Sequence, residues 1–189
     1  MRQQRRRAAS GFSLVELLVV VGILMVIAAM AMPKIMTTIA DVRLRAAVNS
    51  ASGIMQQSRM MAIKDNMLRK VKYSNVASGG FMYVDINDDS SIQATEPQVQ
   101  MGSTILAFSA PTGLPALIAT DLGYTPDVVS AVMFNPRGIP CSATNTCGRG
   151  MVIYFTDSRT VGSPSWGAVS ISPAGRVKTW LWKGTGWGD

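Results

Sequence analysis

The feature that most constrains this chain is an uncharged apolar run at residues 17–32, directly preceded by a single carboxylate, Glu16. Counted from Phe12, the apolar segment has 21 residues. At about 1.5 Å of rise per residue, a helix of that length spans roughly 30 Å, which is the thickness of a bilayer core. A strongly basic leader precedes it, with arginines at Arg2, Arg5, Arg6 and Arg7. The sequence therefore predicts an N-terminal helix that lies in a membrane or in another apolar environment.

Three interpretations of this segment compete. A secretory signal needs a cleavage site of small residues after the apolar run, and Met30-Ala31-Met32-Pro33 is a poor one. A plain anchor explains the basic flank but leaves the carboxylate unexplained, because a charge in a membrane helix is costly and usually has a specific partner. Cleavage between Gly11 and Phe12 would supply that partner, since the new α-amino group is largely cationic near neutral pH. Glu16 would then lie one helical turn from this amine, or would meet the amine of a neighbouring copy.

The junction also resembles a known family. The run Gly11-Phe12-Ser13-Leu14-Val15-Glu16-Leu17-Leu18-Val19-Val20 is similar to the class III leader and N-terminal helix of type IV pilins and type II secretion pseudopilins. The resemblance implies that prepilin peptidase cleaves after Gly11 and N-methylates Phe12. It also implies that Glu16 pairs with the terminal amine of a neighbouring subunit during filament assembly.

The same resemblance implies a location and a set of partners. The expected protein crosses the bacterial inner membrane once, keeps its C-terminal domain in the periplasm and later enters a pilus or pseudopilus. Its expected partners are other pilins or pseudopilins, prepilin peptidase and the inner-membrane assembly platform, with secreted cargo or DNA as further candidates.

Charge and composition argue against several other functions. Removing the four leader arginines lowers the formal charge from +7 to +3, which does not by itself predict nucleic-acid binding. The chain contains no histidine, which removes histidine metal sites and most general-base mechanisms. No cysteine–base pair or phosphate-binding glycine loop is present either. We therefore expect no enzymatic activity and assign no catalytic residues.

The two cysteines enclose a small polar loop. Cys141 and Cys147 are separated by Ser-Ala-Thr-Asn-Thr. Outside the cytoplasm a disulfide that closes this loop is the natural interpretation. A metal pair is the alternative, but two cysteines without histidine or further cysteines do not complete a zinc site.

Hydrophobic periodicity predicts an α+β chain with a long N-terminal helix packed on a largely antiparallel β-sheet. We expect a leader at residues 1–11, a helix at 12–66 that becomes amphipathic after Pro33, and a β-rich domain at 67–189. The buried stripe of the second half of the helix should comprise Leu44, Val48, Ala51, Met55 and Ala62. Seven strands are predicted, at residues 68–73, 80–86, 99–109, 128–134, 151–156, 168–172 and 177–182. Residues 110–127 are predicted to form a long loop.

Two later motifs extend the resemblance to the β-domain of one group within this family. Met133-Phe134-Asn135-Pro136-Arg137-Gly138 and Val169-Ser170-Ile171-Ser172-Pro173-Ala174-Gly175-Arg176-Val177 resemble the β-domain of the GspH/FimT group. That group contains minor pseudopilin H of type II secretion and related minor type IV pilins. Each motif is also simply a strand, a Pro-Gly turn and a strand, so it supports the fold better than it supports an activity.

An acidic segment fits most of a calcium-loop template. Asp85, Asn87, Asp89 and Glu96 match the EF-hand pattern, in which oxygen ligands alternate and a glutamate follows at a distance. Ser90 replaces the template's glycine, however, and a strand precedes the segment instead of a helix. The alternative is a solvated hairpin turn in which Asp and Asn side chains bond their own backbone.

The C-terminal hairpin suggests a second function. Gly175-Arg176-Val177-Lys178 resembles the Gly-Arg-x-Arg element by which some FimT-type minor pilins bind DNA during uptake. Arg176 and Lys178 would lie on one face of a strand at phosphate-contact spacing. Neighbouring aromatic and basic side chains could stack on bases or add charge: Trp180, Trp182, Lys183 and Trp187. Lys178 departs from the pattern, since lysine makes no bidentate phosphate contact. The alternative is an exposed edge strand with protective charges and tryptophans that close the core.

Overall fold

The computed structural model of the chain describes residues 13–76, 79–102, 105–108, 111, 115–142, 146–157 and 165–188. The predicted cleavage junction, Gly11 and Phe12, lies outside these residues. The described elements form an α+β fold, with one long helix followed by two β-sheets.

The long helix α1 runs from Leu14–Asp65 and has 52 residues. Glu16 lies in its first turn and Lys64 in its last, so that each charge opposes the partial charge of the helix end beside it. Pro33 lies inside the helix, and α-helical geometry continues on both sides of it. The helix is therefore continuous through the point at which the sequence changes from apolar to amphipathic.

The chain divides into two compact units within this helix, the first reaching Thr38 and the second beginning at Ile39. In the first unit the apolar side chains of the helix are exposed, for example Leu14 at 79% and Met30 at 76%. This helix is long and apolar enough to cross a membrane. Within the second unit the helix buries one stripe, which includes all five side chains predicted for it: Leu44, Val48, Ala51, Met55 and Ala62.

The remainder of the second unit consists of eleven described strands and one short helix. In chain order these elements are β1 (Arg69–Val76), β2 (Gly79–Asp85), β3 (Gln98–Gly102), β4 (Ile105–Phe108), α2 (Ala119–Leu122), β5 (Pro126–Val128), β6 (Val132–Phe134), β7 (Pro140–Cys141), β8 (Gly150–Asp157), β9 (Trp166–Ile171), β10 (Val177–Trp182) and β11 (Trp187–Gly188). One sheet has the order β3-β2-β1-β6-β7, and the other has the order β11-β10-β9-β8-β4. Strand β5 pairs with β8 in parallel, and the other pairings among the described strands are antiparallel.

Two predicted strands are each divided between the sheets. The segment predicted as one strand at 99–109 forms β3 in the first sheet and β4 in the second, and Gly102 ends β3 with φ of +92°. The segment predicted at 128–134 likewise contains the end of β5 and all of β6. The predicted loop at 110–127 was also wrong in part, since it contains α2 and the start of β5. These short strands and the short helix contain too few residues to show a hydrophobic periodicity.

The core lies between helix α1 and the two sheets. Leu44, Val48 and Met55 of the helix pack with Phe134 of the first sheet and Phe155 of the second. At Gly167 a Cβ would lie 2.5 Å from Cγ2 of Val48, so glycine allows the helix to approach strand β9 closely.

A smaller cluster covers the opposite face of the second sheet, where Tyr154, Trp166 and Trp180 pack with Leu117. All eight residues of β8 are buried, and the side chains of residues 151–155 alternate between the two clusters. Strands β9 and β10 of the second sheet therefore make apolar contacts on both faces.

Candidate functional site

Glu16 is the one carboxylate of the described helix before Asp41. Around it the helix exposes hydrocarbon, with Leu17 at 60% and Val20 at 46% exposure. Within the described part of the chain, Glu16 makes no ion pair, and the helix dipole is its one favourable electrostatic contact. Among the described residues, Glu16 is therefore a carboxylate on an apolar helix surface that has no cationic partner.

The predicted disulfide is confirmed. Cys141 at the end of β7 is bonded to Cys147, with an S–S distance of 1.97 Å. The backbone supports the same closure, because the Ser142 amide donates to the Thr146 carbonyl at 3.0 Å and the Gly148 amide donates to the Pro140 carbonyl at 3.0 Å. The bridge fixes an edge of the first sheet just before the chain enters β8.

The acidic segment contains an ion pair instead of a vacant ligand set. Oδ2 of Asp85 accepts hydrogen bonds from the Lys72 ammonium at 2.7 Å and from the Ser90 amide at 3.1 Å. Ser90 adopts a left-handed φ of +63°, and its hydroxyl contacts the same ammonium at 2.6 Å. Burial alone would raise the pKa of the Asp85 carboxyl. The hydrogen bond and charge of Lys72, with the Ser90 and Asp88 amides, outweigh burial and hold that pKa below its ordinary value.

The other predicted calcium ligands close the same turn. Glu96 accepts a hydrogen bond from the Ile86 amide at 2.8 Å, and Asp89 accepts one from the Ser91 amide at 2.8 Å. The Asn87 side-chain amide donates to Asp89 at 2.9 Å. Among the described residues, no three Asp, Glu, Cys or His side chains are grouped so that they could hold a metal ion. The structure thus does not assemble Asp85, Asn87, Asp89 and Glu96 into a calcium site, because Lys72 already supplies the cation.

The basic residues of the C-terminal hairpin share one cavity. Arg176, Lys178 and Trp180 line a cavity of about 250 Å³, together with Tyr124 and Ser170. Lys178 lies with its Nζ 4.0 Å from the centroid of the Trp180 ring, which is a cation–π contact. The sequence placed Arg176 and Lys178 on one face, and both do line the same concave surface.

The tryptophans are engaged in packing. Trp180 is 7% exposed, and its Nε1 donates to Oγ of Ser170 at 2.8 Å. Trp182 and Trp187 meet edge to face at 5.6 Å, and Nε1 of Trp187 donates to the Pro115 carbonyl at 2.8 Å. The expectation that these rings stack on bases is therefore not supported, because they close the second apolar cluster. Strand β11 pairs with β10 only at Leu181 and Trp182, so residues 177–180 of β10, which include Lys178, form an edge among the described strands.

A contact that the sequence did not predict joins the two later motifs. Nε of Arg59 on helix α1 donates to the Gly138 carbonyl at 2.9 Å, and its Nη2 donates to the Ala174 carbonyl at 3.3 Å. Gly138 and Gly175 have φ of +72° and +82°, and a Cβ on Gly175 would lie 2.4 Å from the Gly138 oxygen. One guanidinium therefore holds two turns that directly touch each other. The available signal was an arginine four residues after buried Met55, at the edge of the apolar stripe.

Comparison with known proteins identifies the N-terminal region. Residues 6–32 match the prokaryotic N-terminal methylation motif. Among solved structures, the chain is similar to the type IV minor pilin FimU of Pseudomonas aeruginosa (strain PAO1) in two crystal forms. The identity is 14% in both, with TM-scores of 0.47 and 0.46; the matches cover 77% of this chain and 92% and 98% of the FimU chains. No curated protein sequence matches this chain.

Residues 6–32 therefore carry a prepilin-type N-terminal methylation motif that includes the start of an apolar helix, and an antiparallel β-domain follows this helix. The same features fit a membrane-anchored subunit that is processed by prepilin peptidase and assembles with other pilins.

Proposed function

We propose that this chain is a minor pilin or minor pseudopilin of the GspH/FimT type, a structural subunit of a type IV pilus or a type II secretion pseudopilus. Prepilin peptidase cleaves between Gly11 and Phe12 and methylates Phe12. The observation that carries the proposal is Glu16, the lone carboxylate at the start of an exposed apolar helix whose first part lies within a methylation motif.

Assembly then follows from the chemistry of this helix. Moving its side chains from lipid to a filament core changes their polarity little, so close packing and specific pairs must guide association. The amine of a neighbouring Phe12 supplies the cation that Glu16 lacks among the described residues. An ion pair in an apolar environment repays its desolvation only with good geometry, so this pair sets the register of subunits more than it adds stability.

The location and further partners follow from the same proposal. After its leader has been removed, the chain waits in the inner membrane with its C-terminal domain in the periplasm, and the assembly platform moves it into the filament. The β-domain then contacts partner pilins or secreted cargo. Deletion of the gene shows which filament contains the subunit. Loss of protein secretion indicates a pseudopilus, and loss of pilus-dependent motility or DNA uptake indicates a pilus.

The assembly proposal predicts the effect of changing Glu16. Co-expressed with prepilin peptidase, Glu16→Val is expected to be cleaved normally but to enter filaments at least about tenfold less than the parent, because the position loses its charge pair. Glu16→Asp keeps the charge and should retain part of the incorporation. The measurement is the amount of the subunit in sheared filaments, with N-terminal sequencing of the membrane-bound pool.

Lys34→Ala is the control, since it removes the other charged side chain of the described helix before Asp41 and leaves Glu16 in place. Full incorporation of Glu16→Val, with the eleven leading residues still attached, would contradict the proposal.

DNA binding is the second candidate function. The observation that favours it is that Arg176 and Lys178 line one cavity on the surface of the β-domain. Their charges suit phosphate contacts, which give affinity without sequence preference. Salt-dependent binding of the chain to duplex DNA, weakened by Arg176→Ala, is the expected result. Binding that does not fall with added salt would count against it.

A further inference from the structure

The first half of strand β10 has an open side. Strand β9 pairs with residues 177–181 of β10 on one side, whereas on the other side β11 pairs only with Leu181 and Trp182. Among the described strands, none pairs with residues 177–180 on that second side. The second sheet therefore ends there in a short free edge that lies in line with β11.

Two hydrogen bonds show which backbone groups point to this edge. The Ser172 amide donates to the Arg176 carbonyl at 2.8 Å, so the backbone of residue 176 faces the β9 side. The Lys183 amide donates across the β10–β11 turn at 2.9 Å, so the backbone of residue 183 faces the β11 side. Backbone groups of successive strand residues alternate between the two sides, and both bonds therefore assign the N–H and C=O groups of Val177 and Thr179 to the open edge. This edge can form backbone hydrogen bonds with a further extended chain.

A cavity beside the same edge is equipped to hold a carboxylate. Lys178 and Trp180 line this cavity of about 250 Å³ together with Arg176, Ser172 and Asp121. Two cations and one carboxylate give the lining an excess of one positive charge. Oγ of Ser172 accepts a hydrogen bond from the Arg176 amide at 3.0 Å, which leaves its O–H able to donate. The cavity therefore favours an acidic side chain over a neutral one of the same shape.

The register of an added strand would place one of its side chains at this cavity. Residues that lie directly opposite each other in an antiparallel pair have their side chains on the same face of the sheet. The residue opposite Lys178 would therefore project on the cavity face, while its two neighbours would project on the face where Val177 packs against the main core. Because the backbone groups of residue 178 point to β9, this would be a non-hydrogen-bonded pair, in which the two side chains lie closest.

We propose that residues 177–180 of β10 accept an extended segment of another filament subunit as an additional antiparallel strand, and that an acidic side chain of this segment binds at Arg176 and Lys178. The inference rests on the assembly proposal, because it takes its partner from the filament. An edge this short offers few backbone hydrogen bonds, so the contact is weak between freely diffusing molecules. Neighbours held in one filament meet at an effective concentration on the order of millimolar, at which a weak contact is occupied. A freely diffusing secreted protein lacks this advantage.

The first test measures chemical-shift changes of the backbone amides of the processed, isotope-labelled full chain in detergent, during titration with two peptides. One peptide alternates threonine and valine around a central glutamate, and the other has glutamine at the centre. Arg176→Ala and Lys178→Ala are each expected to weaken binding of the glutamate peptide roughly fivefold and of the glutamine peptide less than about twofold. Asp121→Asn removes a like charge and should strengthen binding of the glutamate peptide about twofold. Equal affinity of the parent for both peptides would overturn the choice of an acidic side chain.

Thr179→Pro tests the backbone contact. It removes an N–H group that points to the edge, and it leaves the groups of residues 178 and 180 that face β9 in place. Binding of both peptides is expected to weaken at least about tenfold, while circular dichroism confirms a folded domain. Thr179→Val is the matched control, because it keeps the N–H group and a β-branched side chain, and it should change the affinity less than about twofold. Equal binding by the two folded variants would overturn the addition of a strand.

Incorporation into filaments tests the source of the added strand. With prepilin peptidase and the other subunits present, Thr179→Pro is expected in sheared filaments at roughly a third of the amount of Thr179→Val. If both variants are incorporated equally and only secretion falls, the occupant is a secreted protein and the assignment to a subunit is wrong.

Two further outcomes separate this inference from the functions proposed above. If duplex DNA shifts the amides around the cavity and the glutamate peptide does not, the surface belongs to the second candidate function and the inference is wrong. If the parent itself is absent from filaments, the assembly proposal fails and the choice of a subunit as partner fails with it. The peptide titration does not depend on filaments, so in that case it still decides whether the edge of β10 binds an extended acidic segment.

Discussion

At the scale of single residues, Asp85 shows how a buried charge can be structural. Its side chain is fully buried, and it is held by the Lys72 ammonium and the Ser90 amide. These donors stabilise the ionised carboxylate more than burial destabilises it, which is why the pKa lies below the ordinary value. The pair joins β1 to the end of β2, so the acidic turn that resembled a calcium loop is closed by the protein's own cation.

Asp85→Asn is expected to lower the free energy of unfolding by about 2–3 kcal/mol at pH 7, because it removes the nearer counter-charge of the partly buried Lys72 and leaves the exposed Asp88, 4.0 Å away. A lowered carboxyl pKa contributes stability that is present above the unfolded-state pKa and is lost as the pH falls through the folded-state pKa. The difference between parent and variant should therefore be complete at neutral pH and shrink below about pH 4. Urea unfolding at several pH values measures it.

Asp89→Asn is the control for this prediction, since Asp89 is exposed and its change should cost less than about 0.5 kcal/mol. A difference between Asp85→Asn and the parent that stays constant down to pH 2 would show that the carboxylate charge is not what stabilises the turn.

The structure requires glycine at position 175. Its φ of +82° and its contact with the Gly138 oxygen are separate reasons for glycine. Gly175→Ala is expected to cost about 3 kcal/mol, measured by urea unfolding, since it adds a steric clash to an unfavourable backbone conformation.

Gly184→Ala separates the two causes. Gly184 has φ of +91° but open space at its Cβ position, so this variant should cost only about 1 kcal/mol. Equal losses for the two variants would mean that the close approach of the two turns contributes nothing.

At the scale of elements, the edge of the first sheet is the part stabilised by covalent chemistry. Strand β7 contains two residues, pairs with Met133 and Phe134 of β6, and ends at the disulfide. A strand this short makes few backbone hydrogen bonds with its neighbour. The disulfide closes a short loop, and this lowers the entropy of the unfolded state and stabilises the fold by about 2 kcal/mol.

The double variant Cys141→Ser/Cys147→Ser is therefore expected to lose about 2 kcal/mol of unfolding free energy relative to the oxidised parent. Urea unfolding with and without reductant gives the measurement, and the reductant should affect the parent alone. If reduction leaves the denaturation midpoint of the parent unchanged, the bridge does not stabilise this edge.

At the scale of the whole molecule, one helix serves two environments. Up to Thr38 its surface is apolar and exposed, and from Ile39 it buries a stripe in the core of the β-domain. The first environment requires a membrane or neighbouring subunits, whereas the second is supplied within the chain. The assembly proposal therefore assigns Glu16 and Phe12 to contacts between subunits and leaves the stability of the β-domain to its own core.

The sequence by itself determined the features that depend on local order. The methylation motif, the apolar run and the stripe of Leu44 to Ala62 each lie within one continuous segment, and hydrophobic periodicity reports them directly. The disulfide also followed, because the chain offers only one pair of cysteines. Most of the longer strands were predicted for the same reason, although their predicted ends differ from the observed ends by a few residues.

Only the tertiary structure decided which distant residues meet. Arg59 lies 79 and 115 residues from the two carbonyls that it binds, and no local pattern encodes such a contact. Lys72 enters the acidic turn because β1 and β2 pair, and Trp180 is buried because it packs with loop residue Leu117 in the second apolar cluster. Periodicity fixes which face of an element is apolar, but packing free energy over the whole fold selects the partner of each face.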